Sequence, residues 1–268
     1  MPIKDVLEQI AIGWSAYRDN KVVDSSHPIH ALVTKTFREN IRAHLKEFSQ
    51  LKFEGSTGAG NITAAPWMAV FDPRVTQSAT KGYYVVYLFS LDLKAVTLCI
   101  AFGTTQFEKQ FGGPTKAFPR MREAASRLQD LFRQLVPETL SRKPIQLGAT
   151  PNEKLHYAYE QSAIFSYAPY KLDALPSEEQ LVADLRQIVQ IYTKIVSDPL
   201  TPELDLVVQT AIVPAKVLLN IEVKEFKKRS PSKQVSAKSQ KGNGTRRRYS
   251  SESRKVGVRN LLLWDAWT

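Results

Sequence analysis

Cysteine is nearly missing: one residue, Cys99 in the apolar run AVTLCIAF, in a chain of 268. A single thiol excludes an internal disulfide framework and any cysteine-rich zinc cluster. Long apolar runs are missing too. No stretch approaches about 18 uninterrupted apolar residues, so no membrane-spanning helix is expected. The start, MPIKDVLEQI, has neither the charged opening nor the apolar middle of a signal peptide. A cytoplasmic protein without a membrane partner is the expectation. No repeat at a fixed period is visible, which excludes solenoids and propellers. There is no Gly-x-Ser-x-Gly elbow. GSTGAGN (55–61) has the glycine content of a phosphate loop, but no Gly-Lys-Ser/Thr follows it, so nucleotide hydrolysis has no support. His27 and His30 could share a helical face, yet His44 and His156 are remote in sequence and no local carboxylate completes a metal site.

What is present is enough to bury one sizeable core, with 43% apolar and 24% charged positions. The net charge of +11 is unevenly spread. Residues 1–223 hold 24 basic and 23 acidic side chains, whereas residues 224–259 hold 13 basic ones against Glu225 and Glu252. That segment is rich in Ser, Lys, Arg and Gly and has too little apolar surface to offset its ordering entropy. It reads either as a solvated arm with salt-sensitive attraction for phosphate or as a solubilising linker with no ligand.

Periodicity predicts the elements. Val6, Ile10, Gly13 and Tyr17 fall on one side of a first helix starting near Ile3. A second helix, about 31–48, carries Leu32, Val33, Phe37, Ile41, Leu45 and Phe48 as a broad stripe. Lys35, Arg38, Arg42 and Lys46 follow at steps of three, four and four, a row that could touch phosphate or be an ordinary wet face. Three strands are expected: PWMAVF (66–71), YYVVYLF (83–89) and AVTLCIAF (95–102). The last two form an antiparallel hairpin through Leu91–Lys94. In the third, Val96, Leu98, Ile100 and Phe102 oppose Ala95, Thr97, Cys99 and Ala101. A helix is predicted from Phe118 to Leu135, stopped by Pro137. One further strand is expected within HYAYEQSAIFSYAPY (156–170). Ser177 and Gln180 form a capping box for a final helix striped by Leu181, Leu185, Ile188, Tyr192 and Ile195.

These elements make an α+β domain over residues 1–196, with a small, mostly antiparallel central sheet flanked by helices. Residues 197–223 are a connecting segment, 224–259 the basic linker and 260–268 a short terminal helix. Asp205 and Glu222 of the connecting segment, with Lys224 just after it, have the outline of a nuclease metal site, in which two carboxylates hold Mg²⁺ and a lysine positions water. Ordinary charge alternation at a strand end explains the same residues.

The richest stretch is 58–107. In order it carries Gly58-Ala-Gly-Asn61, Pro66-Trp67, Thr80-Lys-Gly-Tyr-Tyr84, an apolar strand pair and Gly103-Thr-Thr. Together with Tyr159-Glu160 through Ile164 and the final helix, this series resembles the N-terminal domain of McrB-type, modified-cytosine-dependent restriction proteins. The resemblance spans most of residues 1–196. It implies a module that binds double-stranded DNA and takes a modified cytosine out of the duplex into a pocket, serving a nuclease or motor subunit. By motif position the pocket residues would be Trp67, Tyr84, Leu88 and Tyr157. Gly58, Gly60 and Asn61 would approach the DNA backbone, with Lys35, Arg38, Arg42 and Lys81 adding charge. Ala59 stands where some relatives carry an aromatic residue, and it is too small to fill the gap left by an extruded base. Without the resemblance, Trp67 and the tyrosines read more readily as core, as large aromatics at a strand start usually are. Residues 246–267, RRRYSSESRKVGVRNLLLWDAW, resemble the lead-in to an HNH endonuclease domain. Mg²⁺ or Zn²⁺ would be needed only with such a domain. The resemblance points to no catalytic residue within 1–196.

Overall fold

The computed structural model describes residues 1–150 and 152–198. Asp205, Glu222, Lys224, the basic linker and the HNH-like stretch all lie outside the described residues.

Helix α1 (Ile3–Arg18) buries Ile3, Val6, Leu7, Ile10, Trp14 and Tyr17, the predicted stripe widened by Trp14. The second predicted helix is a continuous helical run in three parts: α2 (Pro28–Ala31), a π-helical stretch (Leu32–Phe37) and α3 (Arg38–His44). Leu45 leaves helical geometry, so Lys46 sits in a separate 3₁₀ turn. Lys46 therefore drops out of the predicted row. The wider π turn also breaks the register between Lys35 and the cations after it.

One antiparallel sheet runs in the order β1 (Lys52–Ala59), β2 (Asn61–Phe71), β3 (Tyr83–Phe89), β4 (Ala95–Phe102) and β5 (Ala163–Ser166). The short β6 (Tyr170–Lys171) also pairs with β4. β3 and β4 form the predicted antiparallel hairpin, with Val86 opposite Cys99. Sequence reasoning missed β1 and the first five residues of β2, which contain the glycine-rich stretch. It also missed α4 (Thr104–Phe111). Helix α5 (Pro114–Leu131) starts earlier than predicted and ends before Pro137 matters.

The strand expected in 156–170 is corrected most. Residues Lys154–Ser162 form helix α6, and only Ala163–Ser166 and Tyr170–Lys171 are strand. Tertiary bonds outweigh strand propensity here. The buried Glu160 carboxylate on α6 accepts backbone N–H bonds from Leu147 (2.7 Å) and Ala149 (3.2 Å). Helix α7 (Glu178–Ser197) begins as predicted, with the Ser177 hydroxyl accepting from the Gln180 amide. It buries the whole predicted stripe.

Both sheet faces are covered, which is why β3 is apolar throughout rather than alternating. The main core lies on the face of Tyr83, Val85, Tyr87, Phe89, Val96, Leu98, Ile100 and Phe102, packed by α1, the π-helical stretch and α7. On the other face Ala69, Tyr84, Val86, Leu88, Cys99, Ala101 and Ala163 meet Ile145 and Leu147 of the coil after α5. No helix among the described residues is long and apolar enough to cross a membrane.

Candidate nucleic-acid interface

The second face sets Ala69, Cys99, Ala101 and Ala163 among the larger Phe71, Tyr84 and Leu88, and it leaves a gap. Trp67, Ala79, Tyr84, Val86, Leu88, Ala101, Phe102 and Tyr159 line one cavity. Trp67 stands directly opposite Leu88 across the β2–β3 ladder, and Tyr84 opposite Ala101 across β3–β4. Three of the four expected pocket residues therefore come together. Tyr157 does not join them: its ring packs edge-on against Phe118, centroids 4.8 Å apart. Tyr159 takes its place.

Trp67 and Tyr159 are half-buried, so they form the rim rather than the floor. As it stands the cavity has space for the centre of a water-sized sphere in only about 10 Å³, the room of one water. The expected pocket, roomy enough for a nucleobase, is closed here. One wall is loop rather than sheet: Ala79 lies on the polar loop between β2 and β3, and its carbonyl accepts a hydrogen bond from the Tyr84 hydroxyl at 2.8 Å. Burial, with Tyr159 alongside, holds the Tyr84 phenol well above its usual pKa. Burial and the neighbouring Glu108 push Tyr159 up to about 12. Both keep their protons at neutral pH and can donate. The Cys99 thiol, also on this face, is pushed up by burial and is chemically quiet.

The sequence motifs around the cavity interlock. Gly103 allows the backbone of Lys81 to pass, since a Cβ there would lie 2.3 Å from the Lys81 nitrogen. The Gln106 side chain then clasps Gly82, accepting from its N–H at 3.1 Å and donating to its carbonyl at 3.2 Å. The Thr-Lys-Gly and Gly-Thr-Thr motifs thus pin the end of the loop to α4 and leave the Lys81 side chain exposed.

The glycine-rich stretch closes the β1–β2 hairpin. Gly58, at φ +126°, sits at a register shift where a Cβ would meet the Asn61 carbonyl at 2.1 Å. Ala59, Gly60 and Asn61 at the tip are exposed. Of the predicted cations, Lys35 and Arg42 are exposed, and the Arg42 guanidinium lies over the Phe53 ring at 5.5 Å. Arg38 is turned partly inward, with a buried Nε that has no hydrogen-bond partner. His27 and His30 do not converge: His27 Nδ1 accepts from the Ile29 amide, and His30 Nδ1 pairs with the Thr57 hydroxyl at 2.9 Å. No group of three or more potential metal ligands occurs among the described residues.

No curated protein matches the chain. The family described as MrcB-like, N-terminal domain matches residues 9–197, a span that takes in the sheet, its flanking helices and the cavity. On that match, over more than half of its length, the chain belongs to the MrcB-like N-terminal domain family.

Proposed function

We propose that this domain binds double-stranded DNA in a restriction system and recognises methylated cytosine by drawing the base into the cavity between Trp67 and Tyr159. Family membership supports the DNA-binding part of the reading. One observation carries the rest: Trp67, Tyr84 and Leu88, separated by up to 21 positions, line a single gap on the second sheet face. An extruded base costs a few kcal/mol of unstacking, and an aromatic wall returns about 1–3 kcal/mol per base. The apolar floor of Val86, Leu88 and Ala101 suits a methyl group, and the Tyr159 hydroxyl can meet the polar edge of the base. Entry requires the Tyr84–Ala79 bond to break and the β2–β3 loop to swing out. Lys81 on that loop, with Lys35, Arg38 and Arg42, supplies charge toward the phosphates. The nuclease or motor that acts on the bound DNA would be a partner subunit or a further part of the protein, in the cytoplasm.

The test compares methylated and unmodified duplexes by gel shift at one fixed salt concentration. Trp67→Ala should reduce the preference for the methylated duplex by about 1–3 kcal/mol, the scale of one stacked base. Equal weakening on both duplexes would refute a base pocket at Trp67.

A further inference from the structure

An extruded base leaves a hole in the stack, which flipping and bending proteins commonly fill with an apolar side chain. Ala59 at the hairpin tip is too small for that. Across Asn61 from it stands Val22, 61% exposed, one of few large apolar side chains among the described residues that face solvent. Its position is fixed by the backbone on both sides. β3 pairs with β2 only over Trp67–Val70, so the edge of β2 nearer the tip is open to another partner. The segment after α1 takes that edge: the Lys21 carbonyl accepts from the Ile62 amide at 2.8 Å, and the Val23 amide donates to the Gly60 carbonyl at 2.9 Å. Val22 thereby pairs with Asn61, which pairs with Ala59 on its other side. Directly opposed residues on neighbouring strands place their side chains together.

The turn that delivers Val22 is strained. Lys21 lies at φ +64°, a left-handed conformation that costs a lysine energy and that tertiary structure must hold. The backbone bonds to β2 explain the turn but not the apolar residue at 22, since Val22 is exposed and contributes little burial.

Resting on the proposed reading, we infer that Val22 is the wedge: it enters the duplex beside the extruded cytosine, doing from the α1–α2 connection what Ala59 cannot do from the hairpin. Lys21 and Asn61 flank it with polar groups for the adjoining phosphates. About six strand residues separate Asn61 from Trp67, roughly 20 Å at ~3.3 Å per residue. One continuous strand therefore carries both the pocket rim and the frame of the wedge.

The experiment measures binding of the full chain to an unmodified duplex and to two methylated duplexes. In one the methylated cytosine is paired with guanine; in the other it faces a mismatched base, so that it is already partly unstacked. Val22→Ala should weaken binding to the paired duplex about five- to tenfold and to the mismatched duplex less than about twofold, because the wedge is needed most where the stack must be opened. Val22→Phe should bind the paired duplex at least as tightly as the parent. Trp67→Ala, run alongside, should weaken both. If Val22→Ala leaves both affinities unchanged while Trp67→Ala still abolishes the methyl preference, the wedge is refuted and the pocket stands. If it weakens methylated and unmodified DNA alike, Val22 is only a surface contact and the inference is overturned. If the parent protein shows no methyl preference, the pocket reading falls and the wedge falls with it.

Discussion

The two faces of the sheet are made by the same strands and behave differently. On one, Phe37 meets Tyr87 at 5.4 Å, Phe102 meets Phe107 at 5.5 Å, and helices cover everything. On the other, alanines at 69, 101 and 163 and Cys99 lie among Phe71, Tyr84 and Leu88, and the cover is α6, the coil at Ile145 and Leu147, and the β2–β3 loop. On the proposed reading, a rigid face and a yielding one, alternating residue by residue along β3 and β4, give a platform on which a cavity opens without unfolding the domain.

Substitutions can break that contrast. The largest effect is expected at Phe37→Ala, which empties a fully buried site in the main core and should cost about 3–5 kcal/mol in urea unfolding. Leu88→Ala on the other face should cost less, about 2 kcal/mol, because the site borders a gap that can partly collapse. A cost equal to that at Phe37 would erase the distinction between the faces. Tyr84→Phe removes one hydrogen bond and should cost about 1 kcal/mol. Its signature should be local, with faster amide exchange at Gln77–Lys81 and unchanged protection in α7.

The smallest effect is a pH dependence. Burial holds the His156 imidazole below its usual pKa, so the fold favours its neutral form. The unfolded chain then binds more protons below about pH 6.5, and stability present above that pH is lost as pH falls toward the lowered folded value. The thermal midpoint should drop between pH 7 and 5, and His156→Gln should flatten that drop. Because the ring packs edge-on to Tyr159, centroids 5.8 Å apart, the loss should be accompanied by loosening of the cavity rim.

Much of the rigid face was legible in the sequence. The stripes of α1 and α7 follow helical spacing over four turns or more, and Ser177 marks a start that the structure retains. Strand alternation in β4 predicted which residues share each side. The yielding face was harder to read. β1 carries Gly55, Ser56 and Gly58, which have weak strand propensity, and it is held as a strand by its ladder to β2. α4 is eight residues long, and its stripe is only Thr104, Phe107 and Phe111, too short a pattern to mark a helix in the sequence. Tyr157 and Tyr159 show how one wrong element displaces a site residue. On a strand, residues two apart share a face; on a helix they point about 200° apart. Once 154–162 is helical, Tyr157 turns to Phe118 and Tyr159 to the cavity. The exposure of Val22 left no trace in the pattern, since it depends on an edge of β2 that only the folded register reveals.

The most direct test of the central claim is a crystal structure of the domain with a duplex containing one 5-methylcytosine. The methylated ring should lie between Trp67 and Tyr159, with the Tyr84–Ala79 hydrogen bond broken and the β2–β3 loop displaced outward. A methylcytosine still stacked and paired within the duplex, above a cavity as tight as it is without DNA, would contradict the account.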